Sequence, residues 1–126
     1  MIKSKTSIMA HPWKDLIVWQ KSHELVLEIY KVTVNFPGIE RFGLTQQIRR
    51  SSASVAANIV EGKSRNTDKE FTSFLYNSRG SLEETRYHLL LSKDLNYIDP
   101  EKYEELEKLA TEVSFLLNKL INSISR

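Results

Sequence analysis

Apolar residues recur along most of the chain at alternating spacings of three and four, the period of an amphipathic helix. The pattern is cleanest near the C-terminus, where Tyr103, Leu106, Ala110, Val113, Leu117, Leu120 and Ile124 form one narrow stripe. Upstream, Phe71, Leu75, Ser78, Leu82, Thr85 and Leu89 repeat it, with Phe74, Tyr76, Leu90 and Leu91 off the stripe. The first periodic segment has two apolar sides: Val18, Leu25, Ile29, Val32 and Phe36 on one, Leu16, Trp19, Leu27, Tyr30 and Val34 on the other. A helix apolar on two sides must be covered on two sides, so the surplus predicts a homo-oligomer. No long alternating pattern supports a strand.

Punctuation residues divide this pattern into four helices. The first is expected from Asp15, as its cap, to near Phe36, where Pro37-Gly38 stops it. A second follows Gly43 and ends between Gly62 and Arg65. Thr67-Asp68-Lys69-Glu70 reads as a capping box opening a third helix that runs to about Asn96. Asp99-Pro100, a cap followed by proline at the first helical position, opens the fourth. The short connections favour an antiparallel up-down four-helix bundle over residues 13–126, preceded by a flexible segment, residues 1–12.

The second helix is unlike the others. Ser51 to Ala57 is serine, alanine and one valine, a thin surface that a neighbouring backbone can approach closely. Its flanks carry Arg41, Arg49, Arg50, Lys63 and Arg65, opposed by Glu40 and Glu61. Arginine suits phosphate because its planar fork makes bidentate, charge-assisted hydrogen bonds. These five residues are therefore the candidate nucleic-acid contacts; solvated or intersubunit ion-paired arginines are the alternative reading. Arg79, beside Gly80, is expected to fix register or assembly by pairing with Glu61, Glu83 or Glu84. Gly80 inside a helix implies close packing, and Asn58 reads as an interhelical hydrogen-bond donor.

At 126 residues the chain fits one domain. It has no cysteine, which removes disulfides and thiolate chemistry and fits a reducing interior. Residues 1–11 contain no continuous apolar stretch, so a soluble, cytoplasmic protein without membrane attachment is expected. The net charge of +2 is uneven. Residues 1–66 carry 10 Lys+Arg against 5 Asp+Glu, or +5, and residues 67–126 carry 8 against 11, or −3.

Four-helix bundles can house di-metal centres, but these need paired Glu-x-x-His motifs. Glu84 and His88 stand one residue too far apart, and Gln20 occupies the position three before His23. Zinc, phosphate-loop and serine-hydrolase motifs are likewise missing, so no catalytic residue, metal or cofactor is expected. Trp13, Trp19, Tyr76 and Tyr87 could stack on bases, although their helical spacing suits packing better.

Four ordered motifs resemble a known family: Asp15-Leu16-Ile17-Val18-Trp19-Gln20; Phe42-Gly43-Leu44 with Gln47-Ile48-Arg49-Arg50; Asn58-Ile59-Val60-Glu61-Gly62; and Arg79-Gly80-Ser81-Leu82-Glu83-Glu84. From about Trp13 onward the chain resembles the bacterial four-helix-bundle proteins encoded by intervening sequences in 23S ribosomal RNA genes. The resemblance implies a pentameric ring without known enzymatic activity. It also implies similarity to the accessory variability determinant of diversity-generating retroelements, a basic barrel that binds nucleic acid and a reverse transcriptase. The expectation is a non-enzymatic, oligomeric scaffold that contacts RNA or another nucleic acid through helix two. The competing expectation is an adaptor that recruits a protein through a ring face, using Glu101, Glu104, Glu105 and Glu107.

Overall fold

The computed structural model describes residues 11–124, with no strand among them; most of the flexible segment expected over residues 1–12 lies outside the described residues. Pro12–Asp15 forms a 3₁₀ turn, followed by α1 (Ile17–Thr33), a second 3₁₀ turn (Gly38–Glu40), α2 (Leu44–Lys63), α3 (Asp68–Asp94) and α4 (Pro100–Ile124). Each helix packs on its neighbours in chain order, and α4 returns to α1. Cross-helix pairs show the directions. Ser51 meets Thr85, Ser54 meets Ser81 and Val55 meets Ser78, one number rising as the other falls. Arg79 with Asn118 and Arg86 with Glu107 do the same for α3 and α4, as do Lys21 with Glu112 and Glu28 with Lys102 for α1 and α4. The four helices therefore run antiparallel to their neighbours.

The capping residues explain most boundaries. Thr67 Oγ1 accepts from the Glu70 amide at 3.1 Å, and Asp99 Oδ1 accepts from the Lys102 amide at 2.7 Å. α3 ends in a Schellman arrangement: Asn96, with φ 64°, lets the Tyr97 amide reach Ser92 O and its own amide reach Lys93 O. Asp15 is not the cap of α1. Pro12 closes a separate 3₁₀ turn around it, and the extended residue Leu16 precedes the helix without a side-chain cap. α1 also stops at Thr33, a turn earlier than Phe36, which is buried beneath the connection instead.

The core follows the heptads. Leu25, Ile29, Ile48, Val55, Ile59, Leu75, Leu82, Leu89, Leu106, Val113 and Leu117 are fully buried. On α4 the buried stripe ends at Ile121, while Leu120 and Ile124 pack at its edge. Between α2 and α3 the core is polar and thin. Thr85 Oγ1 donates to Ser51 Oγ at 2.8 Å and Ser78 Oγ donates to Val55 O at 2.7 Å, so these buried hydroxyls are satisfied across the seam. The small residues of α2 thus receive α3 closely, and Gly62 allows the approach. A Cβ there would stand 2.8 Å from Phe74 Cβ and 2.9 Å from Phe71 Cδ1.

Candidate nucleic-acid interface

The α1–α2 connection is held by a residue pair 57 positions apart. Glu40 Oε1 accepts from the Leu44 amide at 3.0 Å at the start of α2, where the unpaired amides favour an anion. Tyr97 donates its hydroxyl to Glu40 Oε2 at 2.8 Å, and its ring lies 5.3 Å from that of Phe36. The Leu44 amide first, and then the Tyr97 hydroxyl, hold the Glu40 carboxyl below its ordinary value of 4.5; the bond to Glu40 pushes the Tyr97 hydroxyl up. Gly43 fits beneath this carboxylate, since a Cβ would stand 2.8 Å from Glu40 Oε1.

Because its native carboxyl lies lower than in the unfolded chain, Glu40 contributes stability that is complete above pH 4.5 and lost as pH falls below it through the native value. Glu28, lowered by its bonds to Lys102 and then Lys31, acts in the same sense. Urea midpoints of the natural protein should therefore fall from pH 6 to about pH 3, and Glu40→Gln should flatten part of that fall. Identical pH profiles for the two proteins would remove Glu40 from the account.

The anchored connection places Arg41 beside α2. Arg41, Arg49 and Arg50, with Tyr30, Phe42, Thr45 and Gln46, line one open groove of ≈ 450 Å³. Arg49 donates from Nε to Thr33 Oγ1 at 2.8 Å, while its guanidinium stands 4.6 Å from the Tyr30 ring centre. Arg41 stands 5.3 Å from the Phe42 ring centre. Arg41 and Arg49 have no carboxylate partner among the described residues. Arg50 is occupied differently, donating to Gln47 and to Glu84 of α3, which also meets His88 at 3.3 Å. The result is an exposed Arg41 over Phe42, a half-buried Arg49 over Tyr30 that also donates from Nη2 to Tyr30 O at 3.3 Å, and an exposed Arg50 paired with a carboxylate.

Lys63 and Arg65 do not join that groove. They lie at the other end of α2, roughly 20 Å away along a helix rising about 1.5 Å per residue. There Lys63 Nζ stands 5.7 Å from the Phe71 ring and Arg65 4.8 Å from Phe74. Glu61 pairs with Arg65 at 3.5 Å, one turn on, rather than with Arg79.

The expected assembly residues also find other partners. Arg79 donates to Asn118 Oδ1 of α4 at 2.9 Å and lies over Tyr76; Glu83 is taken by Arg86 and Glu84 by Arg50. Asn58 donates within its own helix, to Ser54 O at 2.9 Å and Ser54 Oγ at 3.0 Å, and Ser54 rather than Asn58 crosses to Ser81. Gly80 is exposed, and a Cβ there would meet nothing within 4 Å. The tight glycine is Gly62. Its place between a small-residue helix and the aromatics of Phe71 and Phe74 was the available sequence signal. The Arg50–Glu84 and Glu40–Tyr97 pairs had no comparable signal.

Among the described residues, no group of three or more His, Asp or Glu side chains could hold a metal ion, and no helix is long and apolar enough to cross a membrane. Residues 14–119 match the 23S rRNA-intervening sequence protein family. The chain belongs to this family. It is also similar to a crystal structure of a protein of unknown function from the S23 ribosomal protein family of Bacteroides thetaiotaomicron. That similarity has 33% identity and a TM-score of 0.75, covering 83% of this chain and 98% of the other. Comparison with curated proteins gave no match. The arginine groove is therefore carried on a family fold, and its chemistry is that of its own residues.

Proposed function

We propose that this family member is a non-enzymatic, oligomeric binding protein whose Arg41–Arg49–Arg50 groove takes the phosphates of an RNA. The observation that carries the reading is two arginines without carboxylate partners among the described residues, braced on Tyr30 and Phe42 in one open groove. Guanidiniums so braced lose little freedom on meeting phosphate, and phosphate contacts supply affinity without reading sequence. The resemblance to a basic barrel that binds nucleic acid supports a nucleic acid as the ligand, and RNA is the form proposed.

Self-association rests on exposed apolar side chains beside the groove. Leu27 and Tyr30 on one face of α1 and Val34 just past its end form one apolar stripe, and Ile39 and Phe42 of the following connection are also exposed, with Val34 72%, Ile39 88% and Phe42 80% exposed. A second copy of the chain covering this stripe would place the groove at a subunit seam and repeat it around the oligomer, so weak phosphate contacts would act together. A pentameric ring is the form implied by the family resemblance.

Binding of a fluorescent structured RNA to the natural protein and to Arg49→Glu/Arg50→Glu tests the phosphate reading, with Glu101→Lys/Glu104→Lys as a second variant. Loss of binding by at least about tenfold in the arginine variant, with none in the glutamate variant, is expected. RNA binding unaffected by the arginine change sinks the reading and leaves the protein adaptor, supported by Glu101, Glu104 and Glu105 around a shallow depression on α4.

Glu84 competes with phosphate for Arg50. Glu84→Gln is accordingly expected to tighten RNA binding by about threefold to tenfold, on the scale of one charge contact. Equal or weaker binding in that titration would show that Arg50 does not reach the RNA.

A further inference from the structure

At the start of α1 four rings stand in a row that the arginine groove does not use. The 3₁₀ turn at Pro12 brings the Lys14 amide to His11 O and the Leu16 amide to Trp13 O, both at 3.1 Å, folding the chain back against α1. Gln20 fastens the turn, donating to Lys14 O at 2.8 Å. Trp19 and His23, one helical turn apart, present their rings on the same side. His11 stacks on Trp13 at 4.9 Å and 16°, Trp13 meets Trp19 at 4.8 Å and 60°, and Trp19 stacks on His23 at 5.0 Å and 9°. The tryptophans are partly buried, whereas the imidazoles at the two ends of the row are exposed.

Cations accompany this row. Lys14 Nζ lies 5.9 Å from the Trp13 ring centre and has no carboxylate partner among the described residues, while Lys21 is engaged by Glu24 and Glu112. The turn's own carboxylate, Asp15, borders a different groove with Leu116 and Lys119. α1 and α2 are antiparallel, with Tyr30 and Thr33 against Arg49 at one end, so the start of α1 lies at the end of α2 that carries Lys63 and Arg65. The Pro12–Asp15 turn touches α2 directly. The aliphatic stripe of Leu27, Val34 and Ile39 extends toward the opposite end.

We infer that the His11–Trp13–Trp19–His23 row is a stacking site for the unpaired bases of a single-stranded RNA segment, with Lys14, Lys63 and Arg65 as the cations of the same end. This deepens the RNA reading of the arginine groove and rests on it for the class of ligand. Aromatic rings bind unpaired bases with little sequence preference because every base offers a π-face, and nearby cations track the backbone. A row ending in exposed imidazoles beside lysine suits a base and a phosphate better than an aliphatic protein surface. The two ends, roughly 20 Å apart, divide the work between bases and phosphates.

Trp13 and Trp19 are the chain's two tryptophans, so tryptophan emission, excited selectively over the tyrosines, reports this end alone. An oligoadenylate of about twelve nucleotides, and an abasic oligomer with the same number of phosphates, are titrated at low salt while emission and affinity are read. Oligoadenylate should quench the emission and the abasic oligomer should not. The exposed-site variant His23→Ala should weaken oligoadenylate binding by about fivefold or more and leave abasic binding unchanged; Trp13→Ala, checked for helicity, should do the same. Equal quenching by both oligomers, or full oligoadenylate affinity in both variants, overturns the inference. A fall in oligomeric mass on His23→Ala also overturns it, because the row would then be a subunit contact. Arg49→Glu/Arg50→Glu separates the two readings. Affinity for both oligomers lost in that variant, with emission unmoved by oligoadenylate in the natural protein, leaves the groove standing and removes the stacking site; quenching and affinity retained in that variant do the reverse.

Discussion

Gly62→Ala should lower the stability of the bundle by about 1–3 kcal/mol, the range for overpacking a closed site. Gly80→Ala should raise it by about 1 kcal/mol, the helix-propensity difference between the two residues. Both glycines lie in helices, and neither has a positive φ. Their surroundings decide the sign. A methyl at Gly62 enters the space between α2 and α3, 2.8 Å from Phe74 Cβ and 3.3 Å from Phe71 O, atoms that cannot rotate away. The clash can be relieved only by separating the helices, which would loosen the Ser78–Val55 and Thr85–Ser51 bonds along the same seam. A methyl at Gly80 points into open space. Urea denaturation of the two variants checks the pair, and a shift of the same sign in both would contradict the packing described for α2 and α3.

Leu27→Asp with Val34→Asp should weaken self-association by about 100-fold or more while leaving the helical content unchanged. Covering two such side chains is worth about 1.5–3 kcal/mol each, and two carboxylates at the contact add desolvation against it. Neither residue contributes to the buried core, so the fold itself loses little. Tyr30 is left in place because it braces Arg49. Phe115→Asp provides the control: Phe115 is 65% exposed on α4, away from the stripe, and its replacement should not change the mass. Sedimentation of the three proteins measures this directly. A double variant with the mass of the natural protein would overturn the proposed subunit contact on α1.

Much of the fold was legible because helix periodicity and capping are local. The Phe71-to-Leu89 stripe, the Thr67 and Asp99 caps and the stop after Gly62 required only neighbouring residues, and all appear where expected. Asp15 misled because the same residue type serves a cap or a 3₁₀ turn, and Pro12 selects the turn. The candidate site was legible only as a list of cations. Periodicity says which face of α2 is buried, but not that Arg41 comes beside Arg49, that Arg50 meets Glu84, or that Lys63 and Arg65 lie at the far end. Those facts depend on Tyr97 fastening Glu40 and on the angle at which α3 meets α2, pairings across 57 and 34 residues. Gly80 and Gly62 make the same point: a glycine in a helix signals space, and only the neighbour decides whether that space is filled.

The salt dependence of RNA binding tests the phosphate groove most directly. Affinity of the natural protein for a structured RNA should fall linearly in log–log form, and Arg49→Glu/Arg50→Glu, at unchanged mass in solution, should show a slope reduced by about 0.7–0.9 per phosphate contact removed. Equal slopes for the two proteins, or no RNA binding at the lowest salt, would contradict the assignment of these arginines to phosphate.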